Sequence, residues 1–309
     1  MHHRLAVFSA TLALAVVTTG CDIGKITVNT TAKVLLRAQP SLQMESDYQL
    51  AHDAIPGALK TVEGFWVVAP DNDNLIHILT EGYCQYGTAF VDDDWEAAKF
   101  AKKLDEVEYN NARATQIYTR CLNYALMSLG SRWQKDLFGT SDVVTKLIND
   151  SGEDDRTPMM WAALALGSIV NHNLSRPEIL AYLPTVQQIL NRVIALDAKH
   201  PPSDAQSAAL PHLALGMIFS AASQQFGGDP KRATEEFQTA LKLTGEKMLL
   251  ARTLWGYKVG LQTNDRKLFH EQLVKVLETP GSIWPEQRLA NEVAHRRARR
   301  YLSHEKELF

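Results

Sequence analysis

The chain has 309 residues, of which 45% are hydrophobic and 22% charged, and its formal net charge is −3 at pH 7. A chain of this length builds one or two domains with a full hydrophobic core, and its slight negative charge does not favour nucleic acid as a partner. Three cysteines are too few for a fold that depends on a disulfide framework.

The N-terminus has the pattern of a bacterial secretion signal. Arg4 precedes an apolar run over residues 5–17, which is shorter than the roughly 20 residues that a membrane-spanning helix needs. Small residues follow, and the stretch from Val17 to Cys21 reads VTTGC, which is typical of a lipobox. We therefore predict a cleaved lipoprotein signal over residues 1–20 and lipidation of Cys21, where several acyl chains anchor a protein firmly. The alternative is an uncleaved anchor with a chance cysteine.

Residues 21–50 are predicted to form a lipidated tether and the entry to the first helix. Within them, the β-branched stretch at residues 26–31 is briefly strand-like but isolated. Residues 51–309 are predicted to form a single all-helical domain. Ala and Leu are abundant there, and the Asn-Gly and Asp-Gly dipeptides that favour hairpins are absent.

Capping residues mark several helix starts. Asp229 precedes Pro230, and proline suits the first position of a helix. Asp265 precedes apolar residues that share one helical face, and polar residues at 140–142 and the proline at 285 indicate two further starts. Glycine and proline punctuate the connections, so the sequence predicts an all-α fold.

Two neighbouring segments carry the pattern of a tetratricopeptide (TPR) repeat, which is a pair of antiparallel helices in about 34 residues. Leu215, Gly216 and Phe219 match the first helix, and residues 233–241 (ATEEFQTAL) match the second. Small residues in such a pair let the helices approach, and large ones fill the gap. The pattern predicts stacked helical hairpins in a TPR-like solenoid with a concave face. The alternative is an ordinary helical hairpin with small residues at its crossing.

Catalytic and metal-binding patterns are missing from the sequence. The ten histidines lack the spacings of a metal site, and there is no nucleophile elbow, Walker loop or dinucleotide-binding glycine motif. The acidic runs at residues 92–94 and 153–155 are predicted to be solvated turns. The basic run at residues 296–300 is predicted to compensate the dipole of the last helix, with docking of a partner or an anionic ligand as the alternative. We therefore predict no enzyme activity, no metal and no cofactor.

Cys84 and Cys121 are the two remaining cysteines. In an oxidising compartment they form a disulfide if the fold brings them together. Equally, they are two small buried core residues. The sequence leaves both possibilities open.

Five stretches, taken in order and spacing, carry a resemblance to a known family. They are 81–90 (EGYCQYGTAF), 160–171 (MWAALALGSIVN), 210–216 (LPHLALG), 226–233 (FGGDPKRA) and 288–298 (RLANEVAHRRA). Together they resemble the T-component family (TatT) of tripartite ATP-independent periplasmic (TRAP) transporters, over most of the chain from about Asp53 onward. The resemblance implies an all-helical TPR-like lipoprotein on the periplasmic side of a bacterial membrane, inner or outer, without catalytic residues. It further implies a homotrimer with an apolar cleft in each protomer.

The resemblance also implies a function in uptake. The expected partner is the periplasmic solute-binding (P) component, and the expected ligand is small and partly hydrophobic, such as an organic acid. Pockets of this kind are mostly apolar with a few orienting polar groups, and on that basis the cleft candidates are Trp161, Asn171, His212, Phe219, Trp255 and Asn291. The ordinary alternative for each is a core position or a bond to a neighbouring backbone group. The alternative function is a TPR-like adaptor of the cell envelope that binds protein and has no small-molecule cleft.

Overall fold

The computed structural model describes residues 22–221 and 228–309. The predicted signal and the predicted lipidation site at Cys21 lie outside the described residues. The described part is helical and contains no strand, which confirms the all-α prediction. The α-helices are α1 (Ile23–Ala38), α2 (Pro40–Gln43), α3 (Tyr48–Val68), α4 (Asp73–Tyr86), α5 (Asp92–Phe100), α6 (Leu104–Leu129), α7 (Ser131–Asp136), α8 (Ser141–Asp150), α9 (Arg156–Asn171), α10 (Pro177–Leu180), α11 (Leu183–Asp197), α12 (Ala205–Phe219), α13 (Pro230–Leu243), α14 (Leu249–Leu254), α15 (Gly260–Thr263), α16 (Arg266–Glu278), α17 (Arg288–Ser303) and α18 (Glu305–Leu308).

Two π-helical turns interrupt long helices. The turn π1 (Gly87–Val91) joins α4 to α5, and the turn π2 (Trp255–Val259) joins α14 to α15. Each therefore lies inside one continuous helical segment, where it rotates the residues that follow relative to a regular α-helix. Such π-helical turns are rare and are frequent at functional sites.

The first helix contains the stretch that has a strand-like composition. Residues 26–31 lie within α1, which packs on α3 and α4. Val28 and Ala32 are buried in that contact. β-branched residues lower helix propensity only slightly, so burial of one face decides the conformation here. The division of the chain at residue 50 stays a prediction.

The predicted helix starts are confirmed where capping is strongest. Asp229 accepts a hydrogen bond from the backbone N–H of Arg232 at 3.0 Å, at the start of α13. Asp265 accepts one from the N–H of Leu268 at 2.9 Å, at the start of α16. Each cap satisfies a backbone donor that the first helical turn leaves without a partner.

The helices α12 and α13 form the antiparallel pair that the TPR pattern predicts. A Cβ on Gly216 would lie 2.9 Å from the ring of Phe237, so the glycine is required for the close approach of the two helices. The guanidinium of Arg232 lies over the ring of Phe219, and His212 pairs with Glu236 one turn further along. From the first pair to the second, the residue number falls in α12 and rises in α13, so the two helices are antiparallel.

The preceding long helices are also packed against their neighbours in the chain. Asn111, early in α6, donates a hydrogen bond to the carbonyl oxygen of His172, which follows the end of α9. Arg156, the first residue of α9, forms a bidentate ion pair with Asp197, the last residue of α11, at 2.7 Å. Helix α9 is therefore antiparallel to both α6 and α11. The stacking of these helices into a TPR-like superhelix stays a prediction.

A disulfide joins Cys84 of α4 to Cys121 of α6. Both cysteines are fully buried, and the adjacent rings of Tyr83 and Tyr124 are stacked. The open question about these cysteines is thus answered: they are buried core residues and they are bonded to each other. A disulfide is typical of an oxidising compartment.

The C-terminal helix α17 returns to the beginning of the fold. It contacts α2 and α3 as well as its neighbours α14 and α16, and its arginines reach Asp93 of α5, more than 200 residues earlier in the chain. In a linear solenoid each repeat contacts only the adjacent ones. In this fold, by contrast, the contact between α17 and α5 joins two helices that lie about 200 residues apart in the chain.

One stretch of the described chain, Pro177–Asp197, is long and apolar enough to cross a membrane by length and composition alone. Its helix α11 packs on α9 and buries Val186, Ile189, Leu190 and Val193 in the main core. One face of the stretch therefore packs in the core, and 28% of its apolar window is buried.

Candidate ligand-binding site

An apolar cavity of about 160 Å³ lies between α9, α11, α12 and α14. Helix α12 is apolar on nearly all sides, as its sequence AQSAALPHLALGMIF shows. One of its faces packs on α13 and another faces the cavity, which is how a helix without a polar face is accommodated. The apolar side chains that line the cavity include Leu164, Val186, Leu213, Met217, Ile218 and Leu254.

One end of the apolar cavity is polar and is formed by side chains from π1, α5 and α17. Arg297 donates a hydrogen bond to the carbonyl oxygen of Thr88 at 2.6 Å. The carboxylate of Asp92 accepts a hydrogen bond from the hydroxyl of Tyr118 at 2.8 Å and lies 2.9 Å from Nε2 of His172. Both oxygens of Asp92 are therefore engaged within the protein.

A polar cavity of about 400 Å³ adjoins the apolar one. The two cavities share Asn171, Leu174 and Ala221 in their walls. The other residues of the polar cavity are aromatic, charged or hydrogen-bonding, among them Trp95, Glu96, Lys99, His172, Tyr257 and Lys258. The pair of cavities thus offers an apolar chamber next to a polar one.

The two π-helical turns flank this pair of cavities. Thr88 of π1 lines the apolar cavity, and Tyr257 and Lys258 of π2 line the polar cavity. Gly256 lets π2 lie close to α16, because a Cβ on this residue would lie 2.8 Å from the Cβ of Gln272. The ring of Tyr257 is stacked on Tyr301 of α17, with the ring centres 3.7 Å apart.

A buried ion cluster lies beside the two cavities. Asp93, whose side chain is 0% exposed, accepts hydrogen bonds from Arg296 at 2.6 Å and from Arg300 at 2.5 Å. Glu96 accepts one from the hydroxyl of Tyr301 at 2.6 Å, and Arg297 lies 3.8 Å from the carboxylates of both Asp93 and Glu96. The cluster ties α17 to α5 directly beside the two cavities.

Two interpretations of the sequence are wrong at this cluster. The acidic run at residues 92–94 is not a solvated turn, because it forms the first turn of α5 and its central carboxylate is buried. The basic run is not there mainly to compensate a helix dipole, because Arg296, Arg297 and Arg300 pair with that carboxylate.

The ionisation of Asp93 follows from its partners. Burial raises the pKa of the Asp93 carboxyl, but the charges of Arg297 and Arg300 and the hydrogen bonds from Arg296 and Arg300 lower it more. The pKa of Asp93 therefore lies below its ordinary value, and the carboxylate is charged at neutral pH.

Of the six cleft candidates, Asn171 lies in the walls of both cavities. Trp161 is buried in the main core. Nδ1 of His212 lies 2.6 Å from a carboxylate oxygen of Glu236 between α12 and α13, and Phe219 is buried at the end of α12. The structure does not bring these residues together.

The remaining two candidates lie near the C-terminal helices. Trp255 is in π2 and packs against the main core. Asn291 accepts a hydrogen bond from the N–H of Leu249 at the start of α14 and donates one to the carbonyl oxygen of Gly281. This is the ordinary alternative for Asn291, a bond to backbone groups of neighbouring elements. A ligand role for each of the six residues stays a prediction.

Lys258 is a cavity residue that the sequence analysis does not predict, whereas Arg297 belongs to the basic run for which an anionic ligand is the alternative. Lys258 is the only charged residue among residues 253–264, a stretch that contains Trp255, Tyr257, two glycines and several aliphatic residues. A lone lysine in an apolar helical segment is the signal that could have identified it, since a charge is rarely placed there without a partner.

A second apolar recess, of about 280 Å³, lies between α1, α2, α3 and α4. Its walls include Leu35, Leu42, Ile55 and Phe90, and none of the lining side chains among the described residues is charged. It therefore suits an uncharged group, whereas the apolar cavity between α9 and α12 combines apolar walls with a charged end.

Metal ligands are not grouped at these cavities. Within residues 22–221 and 228–309, no three His, Cys, Asp or Glu side chains are placed to hold one ion. What the two cavities offer is apolar contact area, hydrogen-bonding groups and charge, which are the requirements of a binding site for a small molecule.

Comparison with known proteins identifies the family. The family model of the TRAP transporter T-component (TAtT) matches residues 44–309, a range that contains both cavities and the ion cluster. None of the curated proteins compared with the chain matches it. A component of TRAP transport is associated with the membrane on the periplasmic side. Since the match covers far more than half of the sequence, this chain belongs to the TRAP transporter T-component family.

Proposed function

We propose that the protein is a lipid-anchored, non-enzymatic component of TRAP-type uptake that holds a small, partly hydrophobic organic acid. The observation that carries the proposal is the apolar cavity, whose walls come from four helices and whose end is charged. Removal of apolar surface from water contributes roughly 25 cal/mol per Å², so the cavity is suited to the hydrocarbon part of a ligand. The polar end is suited to orient it.

Family membership supports association with TRAP transport. The proposed partner is the P component, which would receive or deliver the ligand, and the proposed assembly is a homotrimer. Co-purification of the P component with the membrane-bound protein is the direct check of this contact. An envelope adaptor without a small-molecule cleft is the competing function, and the presence of an apolar cavity with a charged end favours ligand binding over it.

Replacement of Cys21 by alanine is expected to abolish labelling by radioactive fatty acid and to release the protein from membranes. The reason is that the thiol is the atom to which the lipid is attached, and acyl chains supply the anchor. Labelling and membrane fractionation in cells measure both effects. Thr18→Ser is the matched control, because it keeps a small residue before the cysteine and should keep the label. Unchanged labelling of the Cys21→Ala protein would refute the lipid anchor.

Ala214→Trp is expected to weaken the binding of octanoate and of 1-octanol by more than tenfold. Ala214 lines the apolar cavity, and each methylene kept out of it forfeits about 0.8 kcal/mol. Binding is measured by equilibrium dialysis of the radiolabelled probes against the mature protein in lipid nanodiscs, with empty nanodiscs subtracted.

The control for this experiment is Ala205→Trp, because Ala205 is exposed at the start of the same helix. It should bind both probes as the wild type does. Binding that persists in Ala214→Trp would exclude the apolar cavity as the site and direct attention to the second recess. A wild-type protein that binds neither probe would favour the adaptor.

A further inference from the structure

Lys258 lies in the wall of the polar cavity. Lys258 belongs to π2, and its side chain is only partly exposed. The ring of Tyr257 is a neighbour, with Nζ at 5.6 Å from the ring centre. A cation–π contact at this distance contributes less than the desolvation of an ammonium group costs.

No carboxylate forms an ion pair with Lys258 in the described residues, which include every Asp and Glu of the chain. The nearby carboxylates are engaged elsewhere. Glu96 accepts a hydrogen bond from Tyr301 and pairs with Arg300, and Asp92 is bound by Tyr118 and His172. A buried cation is ordinarily paired, so Lys258 lacks the partner that its position calls for.

The charged side chains around the two cavities include more cations than carboxylates. Three carboxylates, those of Asp92, Asp93 and Glu96, face the cations of Arg296, Arg297, Arg300, Lys99 and Lys258. The arginines balance the carboxylates, and the two lysines are left over. Lys99 is exposed to solvent and lies over the ring of Trp95 at 4.3 Å, so water compensates its charge. The side chain of Lys258 is less accessible than that of Lys99, so water compensates its charge less well.

The ionisation of Lys258 supports this description. Burial lowers the pKa of the Lys258 amine, Glu96 and Asp92 oppose that change, and the like charges of Lys99 and Arg297 add to it. The net pKa lies below its ordinary value. An anion placed in the cavity would offset both the burial and the repulsion.

We propose that the polar cavity is the anion subsite of the ligand, in which Lys258 binds a carboxylate whose hydrocarbon part lies in the apolar cavity. The subsite rests on the proposed function, because the ligand spans both cavities. Asn171, Leu174 and Ala221 form the shared wall, so a molecule that passes them places one end in each chamber. The ligand class is an aliphatic or aromatic monocarboxylate with its charge at one end.

Arg297 is the other buried cation at the site, and it is less suited to this role. Its guanidinium lies 3.8 Å from the carboxylates of Asp93 and Glu96 and donates to Thr88. The Nε atom of Arg297 has no hydrogen-bond partner in the part of the chain that the structure describes, but two carboxylates lie 3.8 Å from it and compensate its charge. By contrast, no carboxylate of the described residues forms an ion pair with Lys258.

The test compares octanoate with 1-octanol, which share a hydrocarbon chain and differ in charge. Both are measured by equilibrium dialysis against the mature protein in nanodiscs. The wild type is expected to prefer octanoate, and Lys258→Gln is expected to lower octanoate affinity by about tenfold or more while leaving octanol affinity unchanged. Lys258→Arg keeps the charge and should keep most of the preference. Lys267→Gln, an exposed lysine on α16, is the matched control and should behave as the wild type.

The thermal midpoint of the ligand-free protein is a second readout. Lys258→Gln should keep or raise it, because removal of an unpaired buried charge does not destabilise the fold. A wild type that binds both probes equally, or a Lys258→Gln protein that loses both equally, would overturn the anion subsite and leave the proposed function standing. A wild type that binds neither probe would overturn the proposed function itself.

Discussion

Replacement of Asp93 by alanine is expected to lower the free energy of unfolding by about 3–5 kcal/mol, the range found when one partner of a buried ion pair is removed. The carboxylate of Asp93 is inaccessible to solvent and is bound by Arg296 and Arg300. Its loss leaves Glu96 as the remaining carboxylate of the cluster beside Arg297 and Arg300 of α17. Urea unfolding followed by circular dichroism measures the effect.

Asp94→Ala is the matched control for this variant. Asp94 is the next residue in the chain, but its side chain is 32% exposed and its contact with Arg113 is long, at 3.5 Å. A surface pair of this kind contributes about 0–1 kcal/mol. Equal effects of the two substitutions would show that the buried cluster does not hold α17 to α5.

The same carboxylate makes stability depend on pH. Because the pKa of Asp93 is lower in the folded protein than in the unfolded chain, the unfolded chain binds the proton more readily. The contribution is therefore complete above the unfolded pKa of about 3.9 and is lost as the pH falls through the folded pKa. Asp93→Ala should lose less stability than the wild type when the pH is lowered below about 4.

Removal of the disulfide by the double substitution Cys84→Ala and Cys121→Ala is expected to lower the free energy of unfolding by about 4 kcal/mol. The bond closes a loop with a sequence separation of 37 residues, and its constraint on the unfolded chain is of that order. Wild-type protein unfolded with and without a thiol reductant should differ by a similar amount. The reductant should leave the double variant unchanged, and identical midpoints for the oxidised wild type and the double variant would contradict the prediction.

Local features of this fold could be predicted from the sequence. Asp229 and Asp265 mark helix starts because a cap acts on backbone groups three residues away. The contact of Gly216 with Phe237 follows from a pattern within one helical pair. Both kinds of information are contained in short windows of the chain.

The ion cluster could not be predicted in this way. Asp93 and Arg296 are 203 residues apart, and each lies in a run of like charges that is usually solvated. Their pairing depends on the return of α17 to α5, which no local pattern specifies. No local pattern predicts the π-helical turns either; each contains a glycine, Gly87 or Gly256, that packs closely on a residue of another helix.

Of the six cleft candidates, Asn171 lines both cavities, and a ligand role for all six stays a prediction. Asn171 and Asn291 are both polar residues in apolar-rich helical segments, yet Asn291 binds backbone groups. Lys258 has the same kind of sequence environment. Residue type alone does not tell which face of a helix meets a cavity.

The contact between α17 and α5 can form only after α17 has been synthesised. Ribosomes add roughly 5–20 residues per second, so Asp93 emerges roughly 10–40 s before the arginines that lie 203 residues later. During that interval the carboxylate of Asp93 lacks the arginines that pair with it in the finished fold. A chain that terminates before α17 would therefore carry an acidic residue at a position that the complete protein buries.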